Sequence, residues 1–254
     1  MEKLKISMVI LFTLLISFSY VMAQDMNPDA GKLYNEGNSL LKAGNYKGAI
    51  DNYDKALAIE KDYRIYYQRG VAQKKARDLE GAKQSFEECI KMKSDFTGGY
   101  NALGGVYFQE GDYNSAISNF EKVLTLTDKG HVESIVKKNL SLAYAKLGNE
   151  ELSNGNSKKG IEYLKKSVES SNYDAAYLSL AKVYSELGEW DNSIAAAENA
   201  LKYRSKITPG GPYYYMGVSY KGKGDLTKAK EMFEKAKTDA TYKKTAEYEL
   251  SLMN

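Results

Sequence analysis

The apolar positions of this chain recur at spacings of three and four, in short runs broken by glycine. The clearest stretch is 97–130. There Tyr100, Leu103, Gly104 and Tyr107 share one helical face, and Glu110-Gly111-Asp112 makes a turn. Tyr113, Ala116, Ile117, Phe120, Val123 and Leu124 then share the face of a second helix. One such pair leaves its apolar face uncovered, so the pattern predicts neighbours of the same kind.

Those neighbours are present. Small residues at Gly37, Gly70, Gly104, Gly148, Ala181 and Gly217 recur at intervals of 33, 34, 44, 33 and 36. Seven residues after each comes a turn position: Gly44, Arg77, Gly111, Gly155, Gly188 and Gly224. Five further on stand Ala49, Ala82, Ala116, Gly160, Ser193 and Ala229. Four beyond these are Tyr53, Phe86, Phe120, Leu164, Ala197 and Phe233, and three beyond those are Ala56, Cys89, Val123, Ser167, Ala200 and Ala236. Small residues on both helices let the two backbones approach. The large residue of the second helix is expected to reach the next pair. A turn glycine accepts positive φ and ends the first helix.

This register resembles the tetratricopeptide repeat, a helix–turn–helix of about 34 residues. The resemblance implies an all-α fold: a right-handed α-solenoid of helix–turn–helix repeats with a C-terminal capping helix. Repeats are expected over about 30–62, 63–96, 97–130, 141–173, 174–207 and 210–241, after a lead-in at 24–29. The long interval implies an insertion at 128–140 and a lengthened first helix, and a second register with Ser141 as marker also fits. The family's usual proline is replaced by Lys61, Ser94, Asp128, Asn172, Ser205 and Thr241. Most of these can cap the following helix. Thr208-Pro209-Gly210-Gly211-Pro212 is the clearest break. The segment 242–254 should form the cap, its outer face polar through Lys243, Lys244, Glu247 and Glu249.

The first residues add a location. Lys3 and Lys5 precede an apolar run over 6–21, and Val21-Met22-Ala23 offers small residues for cleavage before Gln24. This resembles a secretory signal peptide over 1–23. The run is shorter than the roughly 20 residues of a membrane span, and an uncleaved anchor is the alternative. The expected location is the periplasm or cell envelope of a bacterium, with membrane contact only through that segment.

Composition removes whole classes of chemistry. Mean hydropathy is -0.52, which reads as a water-soluble chain beyond the leader. The 36 basic and 33 acidic residues nearly balance, which gives no case for nucleic acid. One cysteine, Cys89, excludes an internal disulfide framework, and one histidine, His131, removes most routes to acid–base or zinc chemistry. The stretch 217–224 nearly spells a phosphate-binding loop, but Gly224 stands where Ser or Thr is needed and no strand precedes it. No catalytic residue, cofactor, nucleotide or metal is expected.

What remains is a groove. In the resembled family three positions of each first helix point into the concave side. Here they are Tyr34, Asn38 and Leu41; Tyr67, Val71 and Lys74; and Asn101, Gly105 and Phe108. Later repeats add Lys182, Tyr214 and Lys221. Tyrosine offers apolar area and one hydroxyl at low entropic cost, which suits peptide recognition. The stretch 33–50 also resembles the first repeat of chaperone-binding carboxylate-clamp domains, with Asn38 as the clamp asparagine. The clamp cations fall on Tyr34, Gly98 and Ala102, so that specificity is rejected. The expectation is a non-enzymatic scaffold that binds a peptide or helix of another envelope protein. The alternatives are an assembly subunit of a secretion or motility machine, and a glycan-binding module.

Overall fold

The structure, a computed structural model, describes residues 26–127 and 130–253. The expected leader over 1–23 and Asp128 at the insertion lie outside the described residues. Thirteen helices and no strand are present among those described. Six antiparallel pairs follow one another: α1 (Pro28–Lys42) with α2 (Tyr46–Ile59), α3 (Tyr63–Lys75) with α4 (Leu79–Met92), and α5 (Thr97–Glu110) with α6 (Tyr113–Leu126). Next come α7 (His131–Ser153) with α8 (Ser157–Ser170), α9 (Asp174–Glu186) with α10 (Trp190–Lys202), and α11 (Gly210–Gly222) with α12 (Leu226–Ala236). A last helix, α13 (Lys243–Ser251), packs on α12.

The marker residues explain why the pairs close. A methyl group built on Gly37, Gly70, Gly104 or Gly217 would fall 2.6–2.7 Å from the ring of Tyr53, Phe86, Phe120 or Phe233. The large residue of each second helix therefore sits first on the glycine of its own pair. It also reaches the next pair, as the spacing predicts: Phe86 shares a cluster with Leu103 and Val106 of α5. The fifth pair replaces glycine and ring by Ala181 and Ala197, both fully buried. Gly148 lies against Leu164 in the same way, which selects it as the fourth marker. Ser141, the other candidate, instead bonds Ser167 across to α8.

All six turn positions have positive φ, including Arg77 at 68°. In pairs one, two, three and six, Asn45, Asp78, Asp112 and Asp225 cap the second helix through a side-chain oxygen. Among the described residues, those expected to replace the family proline do not cap the following helices. Asp62, not Lys61, caps α3, and the N-caps of α5, α9, α11 and α13 are Phe96, Tyr173, Pro209 and Tyr242. The chain reaches the helix start one to four residues later than the family pattern implies.

First helices of successive pairs touch one another, α1 with α3, α3 with α5, α7 with α9 and α9 with α11, whereas no two second helices pack comparably. The first helices therefore form the inner row of the stack. Between α5 and α7, at the 44-residue interval, the contact is thinner. There the 23-residue α7 follows the insertion, and Asn139 Nδ2 donates to Asn101 Oδ1 at 3.1 Å.

Candidate functional site

A cavity of about 620 Å³ opens on the inner row beside the α5–α7 contact. Its walls come from three first helices. Helix α3 gives Tyr67, Val71, Lys74 and Lys75, α5 gives Asn101, Ala102, Gly105, Phe108 and Gln109, and α7 gives Asn139 and Leu142. Phe86 and Phe120 of the second helices close the floor. Tyr67 is fixed edge-on to Phe96 at 5.2 Å and tilted against Phe86 at 5.8 Å. Phe108 meets Tyr113 edge-on at 5.5 Å. The aromatic walls are thus held by ring contacts, and their polar edge consists of amides and ammonium groups.

Lys74 is half-buried. Loss of hydration, with the nearby charge of Lys75 adding to it, holds its ammonium pKa below the usual lysine value. Burial pushes the Cys89 thiol up to about 12, consistent with a core residue. His131 is exposed at the start of α7.

The sequence-derived groove residues divide into three groups. Tyr67, Val71, Lys74, Asn101, Gly105 and Phe108 come together around the cavity. Tyr34, Asn38 and Leu41 are engaged in the first pair. Tyr34 tilts against Tyr53, whose hydroxyl donates to Asn38 Oδ1 at 2.8 Å, and Leu41 packs on the same cluster. The rest stand apart from the cavity. Lys182 is exposed, 3.9 Å from Glu186. Tyr214 is enclosed by Tyr215, Phe233 and Tyr242, and Lys221 pairs with Glu249 of α13 at 2.6 Å. Reading positions from the family pattern missed Asn139 and Leu142, because the insertion shifts the fourth first helix out of the common register. Their three-residue spacing on a helical period was the available signal.

A stack of helix pairs with an aromatic cavity on its inner row belongs to the class of helical-repeat proteins. The chain matches the tetratricopeptide repeat over residues 30–63, 63–96, 98–129, 141–174, 175–207 and 212–238, and it belongs to that family. Proteins of this family are protein–protein interaction scaffolds. A TPR repeat-containing protein of Methanocaldococcus jannaschii is 23% identical over 239 residues, covering 86% of this chain and 40% of that protein. Heat shock protein STI1 of Saccharomyces cerevisiae is 28% identical over 103 residues, 40% of this chain and 18% of its own length. The chain therefore spans less than half of these curated relatives. Among solved structures, a MamA double mutant superposes with a TM-score of 0.52 at 19% identity, over 70% of this chain and 95% of that one. YrrB, described as a TPR protein with an unusual peptide-binding site, gives 0.51 at 22% identity, over 77% and 96%. At such identities the likeness concerns the fold.

Proposed function

We propose that this protein is a non-enzymatic scaffold of the bacterial cell envelope that holds an extended segment or helix of a partner protein. The observation that carries the reading is the cavity between α3, α5 and α7. It joins closely packed aromatic walls to the amides of Asn101, Asn139 and Gln109 on the side of the stack that the first helices line. A partner chain needs both features, apolar contact for affinity and amides to bond its backbone. The envelope location rests on the leader-like residues 1–23 alone.

Two measurements test it. The full chain is incubated with an array of varied amide-capped peptides, alongside Phe108→Ser and the outer-surface variant Lys122→Glu. Binding that falls at least about tenfold in the first and stays unchanged in the second supports the groove, a loss of about 1.4 kcal/mol. Equal binding in both variants, or no binding at all, removes it. Fractionation with N-terminal sequencing tests the location: a periplasmic chain starting at Gln24 is expected, and a cytosolic chain starting at Met1 refutes it.

A further inference from the structure

The cavity carries a charge asymmetry that a generic groove does not require. No Asp or Glu lines it, while Lys74 and Lys75 do. Lys74 is half-buried and has no ion-pair partner among the described residues. A partly dehydrated cation without a counter-ion destabilises the fold that holds it. The cavity nevertheless makes room for it. A methyl group built on Gly105, in the middle of α5, would come within 2.8 Å of Lys74 Nζ. Alanine there would favour the helix and would push aside the flexible end of Lys74, so the glycine leaves the ammonium its present place. Beside it, the Asn139–Asn101 bond leaves one donor, Asn101 Nδ2, and one acceptor, Asn139 Oδ1, without a partner among the described residues.

We propose that the cavity selects an acidic side chain from an internal segment of the partner protein, its carboxylate pairing with Lys74 above Gly105. The amide pair then bonds the adjoining peptide unit, and a neighbouring apolar side chain lies against Phe108 and Val71. Charge complementarity chooses this occupant: the half-buried Lys74, the exposed Lys75 beside it and no competing acid suit a carboxylate. An internal segment fits better than a chain end, because the amide pair calls for a peptide unit that continues. The cations that would grip a terminal carboxylate are missing, since Tyr34, Gly98 and Ala102 hold those positions. The inference rests on the groove reading above.

The test uses the full chain and amide-capped peptides in twins, each carrying glutamate or glutamine at one internal position between apolar residues. Glutamate twins should bind about tenfold more tightly than glutamine twins at low salt, the size of one charge-assisted hydrogen bond. Lys74→Met should erase that ratio, and Lys74→Glu should transfer the preference to lysine-containing twins. Gly105→Ala should also lower the ratio, by displacing the ammonium, while circular dichroism shows helicity unchanged. Equal binding of the twins to the natural chain overturns the acidic preference and leaves the groove reading standing. Tighter binding of peptides with a free C-terminal carboxylate overturns the internal-segment form. Absence of all peptide binding removes both readings.

Discussion

Lys74 and Lys221 occupy the same place in their repeats, four residues after the marker glycines Gly70 and Gly217. Beneath them the two pairs are built alike. Phe86 and Phe233 cover those glycines, and Tyr67 and Tyr214 tilt against the same rings at 5.8 and 5.7 Å. The difference lies in the helix that each pair meets next. Above the second pair, α5 presents Asn101 and Gly105, and α7 meets α5 beside them through the Asn139–Asn101 bond. Above the sixth pair, Tyr242 lies 5.5 Å from Tyr214, and Glu249 of α13 reaches Lys221 at 2.6 Å. A repeat position becomes a site or a seam according to its successor, so the repeat's own residues do not decide which.

The largest expected effect concerns a device that the second pair lacks. Asp174, fully buried at the start of α9, accepts hydrogen bonds from the backbone of Ser205, Lys206 and Ile207 at 2.7, 2.7 and 3.2 Å. It ties down the loop that leads into α11. Burial alone would raise its pKa, but these amides outweigh burial and hold the carboxyl below its usual range. Because the folded value is the lower one, the stabilisation is present above the ordinary carboxylate value of about 3.9 and is lost as pH falls through the folded value. Asp174→Asn should cost about 3 kcal/mol at neutral pH in urea unfolding, and the gap to the natural chain should narrow in acid. Asp62→Asn keeps the cap of α3 and loses only the charge pairing with Arg64 in the same turn, so it should cost only about 0.5 kcal/mol. Equal costs at the two aspartates would mean that the break before α11 needs no special anchor.

Next in size, Gly70→Ala and Gly217→Ala should each cost about 2 kcal/mol by overpacking the ring above them. A clear inequality, read from denaturant midpoints, would show that the two pairs are not alike underneath. The turn positions seven residues after the same markers differ in sequence though not in shape. Arg77 holds φ at 68° and Gly224 at 81°. Arg77→Gly should therefore stabilise by about 1 kcal/mol and Gly224→Arg should destabilise by about as much, seen as opposite shifts in thermal midpoint.

The spacing of small residues exposed the helix pairs, their turns and their buried positions, because each is a local demand of close helix approach. The caps were less legible. Asp62 stands next to Lys61, and a one-residue error at a helix boundary changes which side chain is credited. The cavity was half legible. Tyr67, Val71, Lys74, Asn101, Gly105 and Phe108 stand at repeat positions, but Asn139 and Leu142 depend on how the insertion turns α7. The covering of Tyr214 and Lys221 depends on α13, a helix outside the repeat. Non-local packing of this kind leaves no trace in the periodicity of the segment it covers.

The smallest effect separates the two lysines most directly. Lys221→Met breaks an ion pair whose carboxylate partner, Glu249, is only 20% exposed, and should cost about 0.5–1 kcal/mol. Lys74→Met removes a dehydrated cation without a partner, so the free protein should stay as stable as the natural chain or gain a few tenths of a kcal/mol. Linkage gives the sign. The folded pKa of Lys74 lies below its unfolded value, so the folded state binds fewer protons and its penalty is present at neutral pH. That penalty fades as pH rises toward the unfolded value of about 10.4, and the advantage of Lys74→Met should close over the same range. A bound glutamate peptide should invert the order, making the natural chain more stable than the variant, because the ligand supplies the missing counter-charge. Thermal unfolding with and without peptide reads both orders. A Lys74→Met variant that loses stability without ligand would mean that Lys74 is already paired, as Lys221 is, and the two regions would then differ only in their cover.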